Sequence, residues 1–71
     1  WAAQLGNAKF YHSDLRHSVF VYAVLDSADM RDADLGEVEW DGASMKSAVL
    51  TNARNLVKEK LSEEQLADGK F

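Results

Sequence analysis

The sequence predicts an all-β solenoid of four-sided coils, about two and a half of them, closed by a short C-terminal capping α-helix. Three observations lead there. Large apolar residues recur at every fifth position from Leu5 to Leu50. A small residue stands two places before each of them. The pattern stops at Asn55, ahead of a helix-start signal.

The large column is Leu5, Phe10, Leu15, Phe20, Leu25, Met30, Leu35, Trp40, Met45 and Leu50. Leu, Phe, Met and Trp supply 15 of the 71 residues. An unbroken run of ten in one of five registers therefore arises by chance about once in a million trials, which excludes accident. The small column is Ala3, Ala8, Ser13, Ser18, Ala23, Ala28, Ala33, Val38, Ala43 and Ala48, and Ala53 continues it.

A period of five fits neither regular element. On an α-helix the large residues would spiral around the cylinder. On a continuous strand an odd step sends them to alternate faces. A corner in every repeat resolves the conflict. The small and large residues point inward from one short extended side, and the residue between them points out. The other two residues make the corner, where Gly6, Gly36 and Gly42 fall and where positive φ is expected. Four sides close a coil of about 20 residues, and stacked coils pair at about 4.8 Å. The predicted interior columns are Leu5–Leu25–Met45, Phe10–Met30–Leu50, Leu15–Leu35 and Phe20–Trp40. Such stacking builds the core that a short chain without cysteine otherwise lacks.

The units Ala28-Asp29-Met30-Arg31-Asp32 and Ala33-Asp34-Leu35-Gly36-Glu37 resemble the motif of the pentapeptide-repeat family. That motif is a small residue, Asp or Asn, Leu or Phe, then two variable residues. The resemblance covers roughly residues 3 to 53 and departs at the middle positions Val19, Val24 and Val49. It implies a right-handed quadrilateral β-helix.

Beyond Asn55 the next large residue, Leu56, arrives one place late. Ser62 and Gln65 form a capping box, Leu61 and Leu66 flank it as a hydrophobic staple, and Gly69 supplies a stop. This places a helix near 63–68 and divides the chain into a solenoid over 1–55 and a cap over 56–71. Leu56, Leu61, Leu66 and Phe71 are expected to cover the final coil. An Asn-Leu segment followed by Glu-Gln-Leu is also similar to the ending of many pentapeptide-repeat chains.

The front end shows no comparable cap. Trp1 and Ala2 take the corner places of an earlier repeat, so the solenoid is expected either to continue upstream or to form a homodimer through this end. The chain starts at Trp1 and not at Met, as a processed or excised product would. It contains no visible targeting segment and no apolar run approaching the roughly 18 residues of a spanning helix. The family occurs in cytoplasm and, in photosynthetic organisms, in the thylakoid lumen; the resemblance does not choose between them.

A formal net charge of -4 argues against direct binding to nucleic acid or to an anionic membrane. Catalytic chemistry has no foothold either. The stacking rule gives His12 and His17 one carboxylate neighbour each, Asp32 and Glu37, which is too few for zinc. No serine sits in a nucleophile elbow, and no Gly-rich phosphate loop is present. The expectation is a non-enzymatic module with no cofactor and no metal, structural or protein-binding, with a protein as its partner.

Two surface features remain. Asp26, Asp29, Asp32, Asp34, Glu37, Glu39 and Asp41 crowd the second coil against Arg31 alone. The resemblance implies an alternative role for them, since some family members imitate DNA in shape and charge and bind type II topoisomerases. The stacking rule opposes a uniform field, placing Lys9 near Asp29, Arg54 near Asp34 and Lys46 near Asp26. The second feature is the run Ser18 to Leu25. Val19, Val21, Tyr22 and Val24 should point outward around one corner, an apolar contact surface with Tyr22 as its anchor.

Overall fold

A computed structural model describes residues 3–71. Trp1 and Ala2, and the corner assigned to them, lie outside the described residues.

Backbone pairing follows the period. Parallel bridges join Gln4 to Val24, Lys9 to Asp29, Asp14 to Asp34 and Val19 to Glu39, each across 20 residues. The same step continues from Val24 to Ser44, Asp29 to Val49 and Asp34 to Arg54. Four rows of bridged residues result, and within each coil the amides alternate in direction. Val24 N–H donates back to Ala3 at 2.8 Å, while Leu25 N–H donates forward to Ser44 at 2.7 Å.

Each straight stretch is only three residues long, so the β-structure is a set of isolated bridges and no continuous strand forms among the described residues. The regular elements are a 3-10 turn at Lys58–Lys60, which the sequence reading did not anticipate, and a helix, α1, at Glu63–Asp68.

Every corner is a β-turn closed from the large residue to the next small one, as in Ala8 N–H to Leu5 (3.0 Å) and Ala28 N–H to Leu25 (2.9 Å). The second corner residue takes positive φ each time, from Asn7 (62°) through Tyr22 (59°) and Gly42 (71°) to Asn52 (59°). A turn of type II requires that sign. This corrects the expectation for the glycines. Only Gly42 uses positive φ, whereas Gly6 and Gly36 occupy the first corner place, where the turn does not ask for it.

The interior columns meet as the step of 20 requires. Phe20 and Trp40 have ring centroids 5.5 Å apart. Leu25, Met30, Leu35, Met45 and Leu50 are fully buried in one cluster with the alanines of the small column. Alanine fills most of this column beside the corners, and Val38 occupies the same place in the second coil, also buried. Leu5, Phe10 and Leu15, with no described coil beyond them, are only half-buried.

The repeat ends where its chemistry ends. Continued in register, it would bring Lys58 and Lys60 onto the dry axis, at a desolvation cost no partner there offsets. The chain kinks instead at Asn55 (φ 60°), whose Nδ2 donates to Asp34 at 2.9 Å. Asn tolerates that left-handed conformation better than most residues.

The tail then folds over the last coil. The capping box forms in both directions, Gln65 N–H to Ser62 Oγ (3.1 Å) and Ser62 N–H to Gln65 Oε1 (2.9 Å). Leu61 joins the core, and Leu56 packs against it half-buried. Leu66 and Phe71 depart from expectation, being 39% and 37% exposed. The face that α1 buries carries Gln65 instead, whose Nε2 donates to the carbonyls of Trp40 (2.8 Å) and Ala43 (3.0 Å). The Ala43 carbonyl is one that a further coil would have satisfied, as Ser44 N–H satisfies Ala23. A polar side chain therefore covers this end better than Leu66 could.

Gly69 ends α1 with extended backbone (φ -79°), so its role is spatial. A Cβ there would press on the Phe71 ring at 3.0 Å. Lys70 then pairs with Val49, adding one last bridge.

Candidate partner-binding surface

The apolar corner is built by two turns stacked one coil apart. Val19 precedes the corner on one side, Val21 and Tyr22 make it, and Val24 follows on the next side. Val19 is 64% and Tyr22 69% exposed, while Val21 and Val24 are half-buried. Tyr22 holds positive φ, which costs a bulky residue roughly 1–2 kcal/mol. Its backbone amide is fixed to Asp41 at 2.8 Å. Its ring lies over Gly42, occupying the space a side chain at 42 would need. Tyr22 and Gly42 are thus a matched pair, and the exposed aromatic ring is seated on the neighbouring coil.

The acidic residues are arranged differently from a single charged face. They follow one another around the second coil, on successive corners and sides, in a molecule measuring 24 × 23 × 21 Å. Most are engaged locally. Arg31 grips Asp29 through Nε (2.9 Å) and Nη2 (2.8 Å). Asp34 accepts from Asn55 and from Gly36 N–H (3.2 Å), with Arg16 at 3.7 Å. His17 meets Glu37 at 2.9 Å, and His12 stands 4.0 Å from Asp32. Asp26 accepts from Ser44 Oγ and Lys46 N–H. Glu39 and Asp41 are exposed, with no cation in ion-pair range among the described residues.

The stacking rule placed the histidines correctly but missed the strongest carboxylate partners. Asp14, Asp29 and Asp34 each accept the backbone amide two residues on, which explains the preference for Asp at the middle position. When that later residue is Arg, its side chain returns to the same carboxylate. The arginine's side-chain and backbone donors hold the Asp14 carboxyl down to about 2 and push the Asp29 carboxyl below its ordinary value. Asp34 is lowered chiefly by the Asn55 side chain. The signal was legible as Asp-x-Arg at 14–16 and 29–31. No cluster of His, Asp or Glu among the described residues could hold a metal ion.

The five-residue repeat bridges at steps of 20, and the comparison with protein families agrees with it. The pentapeptide-repeat model matches eight copies, over residues 2–36 and 28–58. The chain is a member of the pentapeptide-repeat family. Its membership carries a β-helix fold built from repeats and places it among structural and protein-interaction modules. No curated protein and no solved structure matches this pentapeptide-repeat chain.

Proposed function

We propose that this chain is a non-enzymatic protein-binding module, a right-handed quadrilateral β-helix over 1–55 with a cap over 56–71. It presents the corner of Val19, Val21, Tyr22 and Val24 to a protein partner. The observation that carries the reading is the exposed Tyr22 ring held over Gly42, beside an exposed Val19. A seated aromatic flanked by aliphatic groups is the usual composition of an interface anchor. The acidic belt is a weaker basis for imitating DNA, because its charges are spread around the coil and several are paired.

The test is affinity capture with the parent chain, Tyr22→Asp and a control, Thr51→Asp, at an exposed corner distant in the repeat. A partner lost with Tyr22→Asp and kept with Thr51→Asp is the expected outcome. Undiminished capture by Tyr22→Asp rejects the corner. Sedimentation of the purified chain reads the other contact we infer, a homodimer through the N-terminal end, where the interior is half-buried.

A further inference from the structure

One row of bridges is shorter than the others. Three rows reach Ser44, Val49 and Arg54, but the fourth stops at Glu39. In the first coil the amides of His17, Phe20 and Tyr22 each donate to the second coil, to Gly36, Glu39 and Asp41, all at 2.8 Å. The Ser18 carbonyl accepts from Glu39 N–H at 3.0 Å. Their counterparts one coil on are the amides of Glu37, Trp40 and Gly42 and the carbonyl of Val38. None of these four groups has a hydrogen-bond partner among the described residues.

The chain's own candidate for that place is otherwise occupied. Residues 57–61 close on themselves, Lys60 N–H to Val57 (3.1 Å) and Leu61 N–H to Lys58 (3.0 Å). Drawn straight in register, they would set Glu59 against Glu39, a like-charge pair. A groove of ≈ 260 Å³ runs along the unfilled edge, bounded by Val38, Glu39, Trp40, Asp41 and Lys60.

We propose that this edge takes an extended peptide segment of a partner protein as an added strand, with a basic residue facing out beside Glu39 and small residues facing in. The proposal rests on the protein-binding reading and supplies its mode. Strand addition provides the carbonyls and the amide that the four groups require. The inward places must be small because Val38 and Trp40 are already covered, each 2% exposed. The outward place favours Lys or Arg because Glu39 has no cation in ion-pair range among the described residues, and two other rungs pair opposite charges, Lys9 with Asp29 and Asp34 with Arg54, although Asp14 faces Asp34. Lys60, which also lines the groove, restricts this to one basic residue. The added strand would lie one rung from Val19 and beside the corner of Tyr22 and Gly42, continuous with the apolar surface.

The experiment is an amide-resolved NMR titration of the whole chain with the peptide acetyl-Gly-Gly-Ala-Arg-Ala-Gly-amide. Before peptide is added, the amides of the exposed residues Glu37 and Gly42 should exchange with solvent faster than those of His17 and Tyr22. On titration the amides of Glu37, Trp40 and Gly42 should shift. N-methylation of the peptide's arginine nitrogen, which removes the donor to Val38, should weaken binding at least about fivefold. Glu39→Lys, on an exposed side chain, should weaken it by a similar factor. Thr51→Asp, on the exposed distant corner, should leave the titration unchanged, while the capture experiment with Tyr22→Asp reads the apolar corner, so the two sites fail separately. Slow exchange of the Glu37 and Gly42 amides in the free chain overturns the proposal, as does equal binding of the N-methylated peptide. A concentration-dependent dimer that protects the same amides assigns the edge to a second copy and overturns it too.

Discussion

The first and second coils carry similar large and small residues in their interior columns, yet they differ in how dry they are. Leu5, Phe10 and Leu15 are half-buried, whereas Leu25, Met30 and Leu35 are 0–1% exposed one coil further on. The difference is position in the stack. A coil does not seal its own axis; the coils above and below it do. Stability in such a solenoid is therefore a sum over neighbouring interfaces. The same comparison separates the two kinds of cover around the second coil. On one side the cover is another coil, supplying apolar residues and a ladder of amides. On the other it is partly the tail, where Leu61 supplies apolar area and Gln65 supplies the donors.

The largest effect should come from deleting the same side chain in the two coils. Leu35→Ala leaves a cavity in a fully covered column and should cost about 2–5 kcal/mol. Leu15→Ala removes a side chain already half in water and should cost roughly half as much or less. Urea midpoints of the two variants against the parent decide it. Equal losses would mean that the first coil is covered in solution, and the contrast between the coils would disappear.

A smaller effect should come from the polar cover. Gln65→Ala strips the second donor from Trp40 and, among the described residues, the sole donor from Ala43, and it also breaks the capping box. Leaving buried carbonyls unsatisfied costs about 1–3 kcal/mol. Ser62→Ala breaks the box alone and should cost about 1 kcal/mol. Matched losses for the two variants would show that Gln65 acts through the helix cap and not as a substitute for a coil.

Much of this was legible in the sequence, and the residues show why. Positions inside the repeat obey a single geometric rule, so the column of Phe20 and Trp40 and the pairing of His17 with Glu37 could be read by adding 20. Even the helix boundaries followed from Ser62 and Gln65, because a capping box is a local signal. Where the rule stops, sequence reading lost its grip. The Leu61–Leu66 pairing was the obvious apolar choice, but the final coil presented an unsatisfied carbonyl, and the tail turned Gln65 toward it. The same applies to the glycines. Corner residues of many kinds, Tyr22 and Glu37 among them, accept positive φ, so glycine was no guide to it. The need for Gly42 lies in Tyr22 one coil away, a contact visible only once the coils are stacked. The unfilled fourth row was equally hidden, since it depends on where residues 57–61 go.

The smallest effect distinguishes the coils by charge. Asp14 in the first coil and Asp29 in the second make the same double contact with the arginine two residues on, and both carboxyls are held below their ordinary value. A carboxyl lowered by folding stabilises the native state at pH above its unfolded value, near 3.9, and that contribution is lost as pH falls through the folded value. For Asp14 the window runs from about 4 down to about 2. Stability should therefore fall across this range, and Asp14→Asn should flatten part of the fall. The Asp14 contribution should be slight and sensitive to salt, because the Asp14 side chain is 60% exposed and its partner Arg16 56%. Asp29→Asn should flatten the curve more, since Asp29 is only 27% exposed and sits between two coils, with Lys9 on its rung. Urea midpoints between pH 4 and pH 2, at low and high salt, make the comparison. If the two variants flatten the curve equally, then stacking adds nothing to this motif, and the local turn alone sets its strength.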